Sequence, residues 1–233
     1  GTWKDATIML KGAGAWSLTL MFLQAWEFMT QEDSDYSVFR PEERFIREYE
    51  SDGYVQPFSD DPMDSEYVSE NTYLNMINRA TDYIYINTPY LILDNQLMSS
   101  LTNAAKSGVD VRITTPHIPD KKMVFLVTRA YYEQLLESGV KIYEYTPGFI
   151  HSKTFVCDDK LGIVGTINLD YRSLFLHYEC GVWMYQTSAI AKLREDYLNT
   201  LGECQEVTYE EARGRKWYVR LMQALLRVFA PLM

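Results

Sequence analysis

A histidine and a lysine stand two residues apart, His151 and Lys153, in the stretch HSKTFVCDDKLGIVGTIN. A neutral imidazole is a nucleophile toward phosphorus, and a nearby ammonium balances the charge that gathers on phosphate oxygens during transfer. Side chains two apart on a strand point to the same side, so His151 and Lys153 are expected on one face together with Phe155. The spacing continues as four residues, Asp158, six residues, then Gly165, Thr166 and Asn168. The Asn168 amide can donate to the same phosphate oxygens, and Gly165 with Thr166 reads as a tight turn that lets backbone approach closely. On an unbroken strand Asp158 has the opposite parity and faces away. Its expected role is therefore architectural, anchoring the strand end through hydrogen bonds. Glu179 lies a little further on. It is expected to accept a hydrogen bond from one ring nitrogen of His151, fixing the tautomer. The competing reading of Glu179 is an exposed strand-end glutamate.

These residues need a scaffold. Residues 5–10 read as a strand and 13–29 as a helix. Acidic and turn residues collect over 30–66 (QEDSD, RPEE, SDDPMDSE), which reads as a linker or irregular surface segment. From 67 the pattern alternates: helix 67–80, strand 83–88, helix 94–106 closed by Gly108, strand 109–115, helix 120–137 closed by Gly139, strand 140–145. Strands at 153–157, 161–165 and 180–185 follow, then a helix near 187–201. The order implies an α/β domain, with a mixed, mainly parallel sheet flanked by helices.

Composition narrows the class. Hydrophobic residues are 47% of 233, so the chain is globular. A net charge of -10 argues against a nucleic-acid partner. The three cysteines form no CxxC pair, and Cys157 reads as a packed residue. No apolar run is long enough to span a bilayer. Asp60, Asp61 and Asp64 fit no metal loop and read as solvated linker. The tyrosines read as core and surface aromatics. Residues 213–233 carry five basic residues, Arg213, Arg215, Lys216, Arg220 and Arg227, and no acidic one. That amphipathic segment suits an anionic membrane surface, or else a helix docked on its own domain with a solvated basic face.

The six spaced motif residues match the phospholipase D superfamily signature without a departure. TPYLILD (88–94), GVDVRITTPHIPDKKMV (108–124) and NLDYRSLFLHYECGVW (168–183) also resemble bacterial cardiolipin synthases, so the likeness covers nearly the whole chain. The resemblance implies a phospholipase D-like domain and a transfer joining two phosphatidylglycerol molecules into cardiolipin with release of glycerol. It implies His151, Lys153 and Asp158 as motif residues, Lys153 and Asn168 on the substrate phosphate, and no metal or organic cofactor. It further implies action at the cell membrane on its cytoplasmic face, this piece being soluble or peripheral.

The family carries two motif copies and two amino-terminal membrane helices; this chain has one copy and neither helix. His117 and His177 have no lysine two residues on. KDATIMLKGAGAWSL can be laid beside HYECGVWMYQTSAIA, each a strand running into a helix, with Asp5 at the place of Glu179. On that alignment 1–30 close a truncated first repeat and 31–66 link it to the catalytic repeat 67–212. Asp5 would then serve the absent histidine. With Gly1 in place of a methionine, the chain is expected to be a processed or excised piece. One histidine cannot be nucleophile and general acid in the same step. The expected partner is therefore the amino-terminal half or a second copy, and the isolated monomer is expected to be inactive. Rival readings are a homodimeric single-motif phosphodiesterase or nuclease, and an inactive lipid-binding half.

Overall fold

The β-branched and aromatic run Tyr83–Asn87 is buried along its whole length, as a strand covered on both faces must be. Ile84 and Ile86 point into one core layer, while Tyr83 and Tyr85 point into the other. A computed structural model describes residues 2–46, 49–63 and 65–230. In chain order its elements are β1 (Trp3–Lys4), α1 (Ala13–Thr30), a 3-10 turn (Tyr36–Phe39), α2 (Glu43–Ile46), β2 (Tyr54–Asp60), α3 (Val68–Arg79), β3 (Tyr83–Asn87), α4 (Asn95–Lys106) and β4 (Asp110–Pro116). There follow α5 (Lys122–Ala130), α6 (Tyr132–Glu137), β5 (Lys141–Tyr145), β6 (Phe149–Ile150), β7 (Thr154–Cys157), β8 (Leu161–Gly165), α7 (Tyr171–Phe175) and β9 (Glu179–Tyr185). The chain closes with α8 (Ser188–Leu201), β10 (Cys204–Val207), α9 (Tyr209–Arg213) and α10 (Trp217–Val228).

Eight strands form one mixed sheet in the order β10-β5-β4-β3-β7-β8-β9-β2. Its parallel part is narrower than the sequence pattern predicts. Only β3, β4 and β5 pair in parallel, because helices connect them; the remaining pairs are antiparallel. Helices α3 to α6 cover one face over a core that includes Tyr73 stacked on Phe155 at 4.1 Å. Helix α8 covers the other, with Tyr197 stacked on Tyr85 at 4.9 Å. The expected helix 120–137 breaks at Tyr131 into α5 and α6.

Two expectations change. Residues 5–10 are not a strand; the pairing there is β1 alone, parallel to β6, with Lys4 opposite Ile150. The stretch 31–66 is only partly irregular, because β2 joins the sheet edge against β9. Its polar and turn residues hid a strand whose alternation is legible only once β9 supplies a partner. Asp60 does not belong to a solvated run: it is buried and accepts from the Val68 and Ser69 backbone N–H groups, closing the start of α3. Asp64 lies outside the described residues.

Glu70, in the first turn of α3, is buried beside Asp94, the residue that caps α4. Burial first, then the hydrogen bond with Asp94 and the charges of Asp94 and Asp60, push its carboxyl from 4.5 up to about 7. Between those values the folded chain holds a proton that the unfolded chain has released. Stability therefore falls as pH rises through that window. Glu70→Gln is expected to flatten this slope, as read by urea unfolding at stepped pH. An unchanged slope would assign the titration elsewhere.

Candidate active site

His151 follows β6 and precedes β7, on backbone clamped to the chain's first residues. Its N–H donates to the Lys4 carbonyl at 2.8 Å, and its ring lies 4.8 Å from that of Trp3. The β1–β6 pairing thereby delivers Asp5 to the imidazole: His151 Nδ1 and Asp5 Oδ2 are 3.1 Å apart. A carboxylate only accepts, so Nδ1 carries the proton and the Nε2 lone pair is left for chemistry. Asp5 is more than half exposed and His151 about a third, so the pair lies open at the surface.

Lys153 is buried, and its Nζ donates to the His151 carbonyl at 2.5 Å. Burial pulls its pKa down to about 8, against the opposing charges of Asp5, Glu179 and Asp170. Asp5 thus acts on both motif residues. Phe155, two residues beyond Lys153, packs in the core against Tyr73, and the β7–β8 ladder runs on to Lys153, whose carbonyl accepts from the Gly165 N–H at 3.2 Å. Cys157 is equally buried, and burial pushes its thiol up to about 12.

Asn168 donates to Ser173 Oγ at 2.8 Å, and its own Oδ1 is buried without a protein partner. Ser173 is held in turn by its N–H on Asp170, the cap of α7. Gly165 is needed for close approach: a Cβ there would meet the Cys180 carbonyl oxygen at 2.6 Å. Asp158 sits at the opposite end of β7 from His151. It accepts from the Thr81, Asp82 and Tyr83 backbone N–H groups and from the Thr81 hydroxyl, all within 3.0 Å.

Glu179 does not reach His151. It accepts from the Thr166 hydroxyl, and His177 Nδ1 lies 3.8 Å away. Burial raises its pKa against the Thr166 and Ser173 hydrogen bonds. The two carboxylate assignments are therefore exchanged: Asp5 serves His151, and Glu179 is left beside a cavity of about 720 Å³ lined by Met21, Phe22, Phe28, Asp60 and Thr166 among others. Sequence proximity misled here because β9 pairs with β8 and β2, whereas the histidine strand's neighbour is β1. In the sequence only the match of Asp5 to the place of Glu179 singles Asp5 out, and there it points to an absent histidine instead of His151.

His117 has a carboxylate partner away from the motif. Its Nδ1 lies 2.9 Å from Glu144, which is buried and also holds Arg129 through two contacts. Both histidines outside the motif thus have carboxylate neighbours of their own.

Residues 73–201 match the family model described as the cardiolipin synthase, PLD-like domain. A Streptococcus mutans protein is 46% identical over the full chain, which spans 50% of its length. Cardiolipin synthase 2 of Bacillus cereus is 38% identical over the full chain, which spans 45% of its length. The chain therefore spans about half the length of the curated relatives it matches. The crystal structure of Nuc, a phospholipase D family member from Salmonella typhimurium, shares the fold at a TM-score of 0.57 and 17% identity, over 66% of this chain and 98% of that one. With the motif, the sheet and the full-length likeness in agreement, the chain belongs to the cardiolipin synthase family of phospholipase D-like proteins.

Proposed function

We propose that this chain supplies one of two half-sites of a phosphatidyltransferase that joins two phosphatidylglycerol molecules into cardiolipin. The observation that carries this reading is the Asp5–His151 pair, which engages Nδ1 with the carboxylate and leaves Nε2 for the reacting phosphate. One histidine attacks the phosphodiester phosphorus, and the bond to the glycerol headgroup breaks. The other histidine protonates the departing glycerol oxygen. It then takes the proton from the hydroxyl of the second phosphatidylglycerol as that oxygen attacks the phosphohistidine, releasing the first histidine. Lys153 supplies positive charge to the phosphate oxygens throughout. Asn168 is the further donor to these oxygens in this mechanism, its amide positioned by donating to Ser173 Oγ.

Two further features support a second half-site. Asp5 lies on a segment ahead of the linker yet serves the motif behind it. By the same rule Glu179 serves the histidine of the other half, and the cavity beside it leaves room for that side chain. Relatives about twice as long are consistent with such a half.

The test is transphosphatidylation of phosphatidylglycerol vesicles by this chain, alone and mixed with a separately made amino-terminal half. Turnover only in the mixture supports the reading. Turnover by this chain alone, rising steeply with its concentration, would instead support a homodimeric single-motif enzyme. In the active mixture kcat/KM is expected to fall above about pH 8, where Lys153 loses its proton. Lys153→Arg should carry the alkaline limb upward; a limb that stays in place would assign it to another group.

A further inference from the structure

Helix α10 docks with its less apolar side inward. The residues turned to the domain are Val219, Gln223 and Leu226, at helical spacing, with Ala230 buried just past the helix end. Gln223 donates to the Leu126 carbonyl at 3.1 Å, and the helix packs on α5. The outward stripe is Trp217, Leu221, Leu225 and Val228, each more than half exposed. The basic face expected to meet a membrane is largely engaged with protein. Arg220 pairs with Glu133 at 3.2 Å, the Arg227 guanidinium lies 4.4 Å from the centre of the Tyr131 ring, and Arg215 donates to the Arg129 carbonyl. A monomer in water has no reason to bury glutamine and expose tryptophan, leucine and valine along one helix.

We infer that this outward stripe is a membrane-surface anchor, lying in the interface of an anionic bilayer with Trp217, Leu221, Leu225 and Val228 among the acyl chains. Charge selects this occupant. Residues 212–233 carry five basic side chains and no acidic one, on a chain of net charge -10. Anionic headgroups draw that end of an otherwise repelled body to the surface. A second copy would set one basic segment against another. An amino-terminal half would join the chain ahead of β1, which pairs with β6 beside His151, whereas α10 lies over α5. Among the described residues no helix is long and apolar enough to cross a membrane, which fits a helix lying on the surface.

Anchoring does not depend on turnover, so its test reads binding and leaves the proposed reaction to its own assay. The full chain is co-sedimented with vesicles of equal phosphatidylglycerol and phosphatidylcholine, and with phosphatidylcholine alone. Binding is expected on the anionic vesicles, with tryptophan emission quenched by lipids brominated in the acyl chains. Trp217→Phe should remove that quenching. The triple substitution L221S/L225S/V228S, at exposed positions, should weaken vesicle binding at least about tenfold with helix content unchanged. His151→Ala should bind as the unaltered chain does. Absence of quenching overturns the inference. So does a triple variant that binds vesicles normally but loses self-association or affinity for an amino-terminal half, which would make the stripe a protein interface.

Discussion

His151→Asn is expected to lower phosphatidyl transfer by the completed enzyme at least about 10⁴-fold, because it removes the nitrogen that either attacks phosphorus or carries the proton in both steps. Asparagine keeps a polar side chain near Asp5 but has no lone pair on nitrogen for phosphorus. The fold should survive, since the His151 ring is partly exposed and its neighbours are Trp3, Phe149 and Asp5. Asp5→Asn acts through the imidazole. It lets the ring adopt the other tautomer, and a loss of about 10²–10⁴-fold follows, with kcat falling more than KM rises. Groups that act as a unit are not additive, so the double variant should be no slower than His151→Asn alone. Measurement of labelled cardiolipin formed by the mixed halves checks all three. Activity of His151→Asn within tenfold of the unaltered enzyme would end the half-site reading.

Asp158→Ala carries the second large effect, on stability. The carboxylate gathers three consecutive backbone N–H groups and a hydroxyl at the start of β3, the strand at the centre of the sheet. Those donors more than offset the cost of burial and hold the Asp158 carboxyl below its ordinary value. Removing the acceptor leaves several donors without a protein partner at once, and a loss of about 3–5 kcal/mol is expected. Asp158 also has a φ of +52°, which aspartate tolerates better than alanine. Urea unfolding followed by circular dichroism reads the loss. The discriminating readout is kcat of the folded fraction at low temperature, which should stay within a fewfold of normal, since Asp158 lies at the far end of β7 from His151. A normal unfolding midpoint with collapsed turnover would instead make it a participant in the reaction.

The motif, the family and the order of the main elements were legible in the sequence because each rests on local information. The spacing from His151 to Asn168 is a pattern along the chain. Strands such as Tyr83–Asn87 and helices such as Val68–Arg79 announce themselves by composition and period. The edge strand Tyr54–Asp60 did not, because an edge strand mixes polar and apolar residues and includes Pro57, which local reading takes as linker. The two-residue strands β1 and β6 are too short to carry any period, yet their pairing positions the site.

What the sequence determined by itself was therefore the chemistry on offer: an imidazole, an ammonium and an amide at fixed spacing, on an α/β frame. Only the tertiary structure decided which carboxylate that imidazole meets. Asp5 is 146 residues away along the chain and 3.1 Å away in space, while Glu179, much nearer in sequence, is turned to Thr166. It also decided that the C-terminal helix shows leucine, valine and tryptophan to the outside while its arginines meet the domain. Both outcomes depend on which elements pack together, and pairing between distant segments leaves little trace in the local order of residues that composition and period can read.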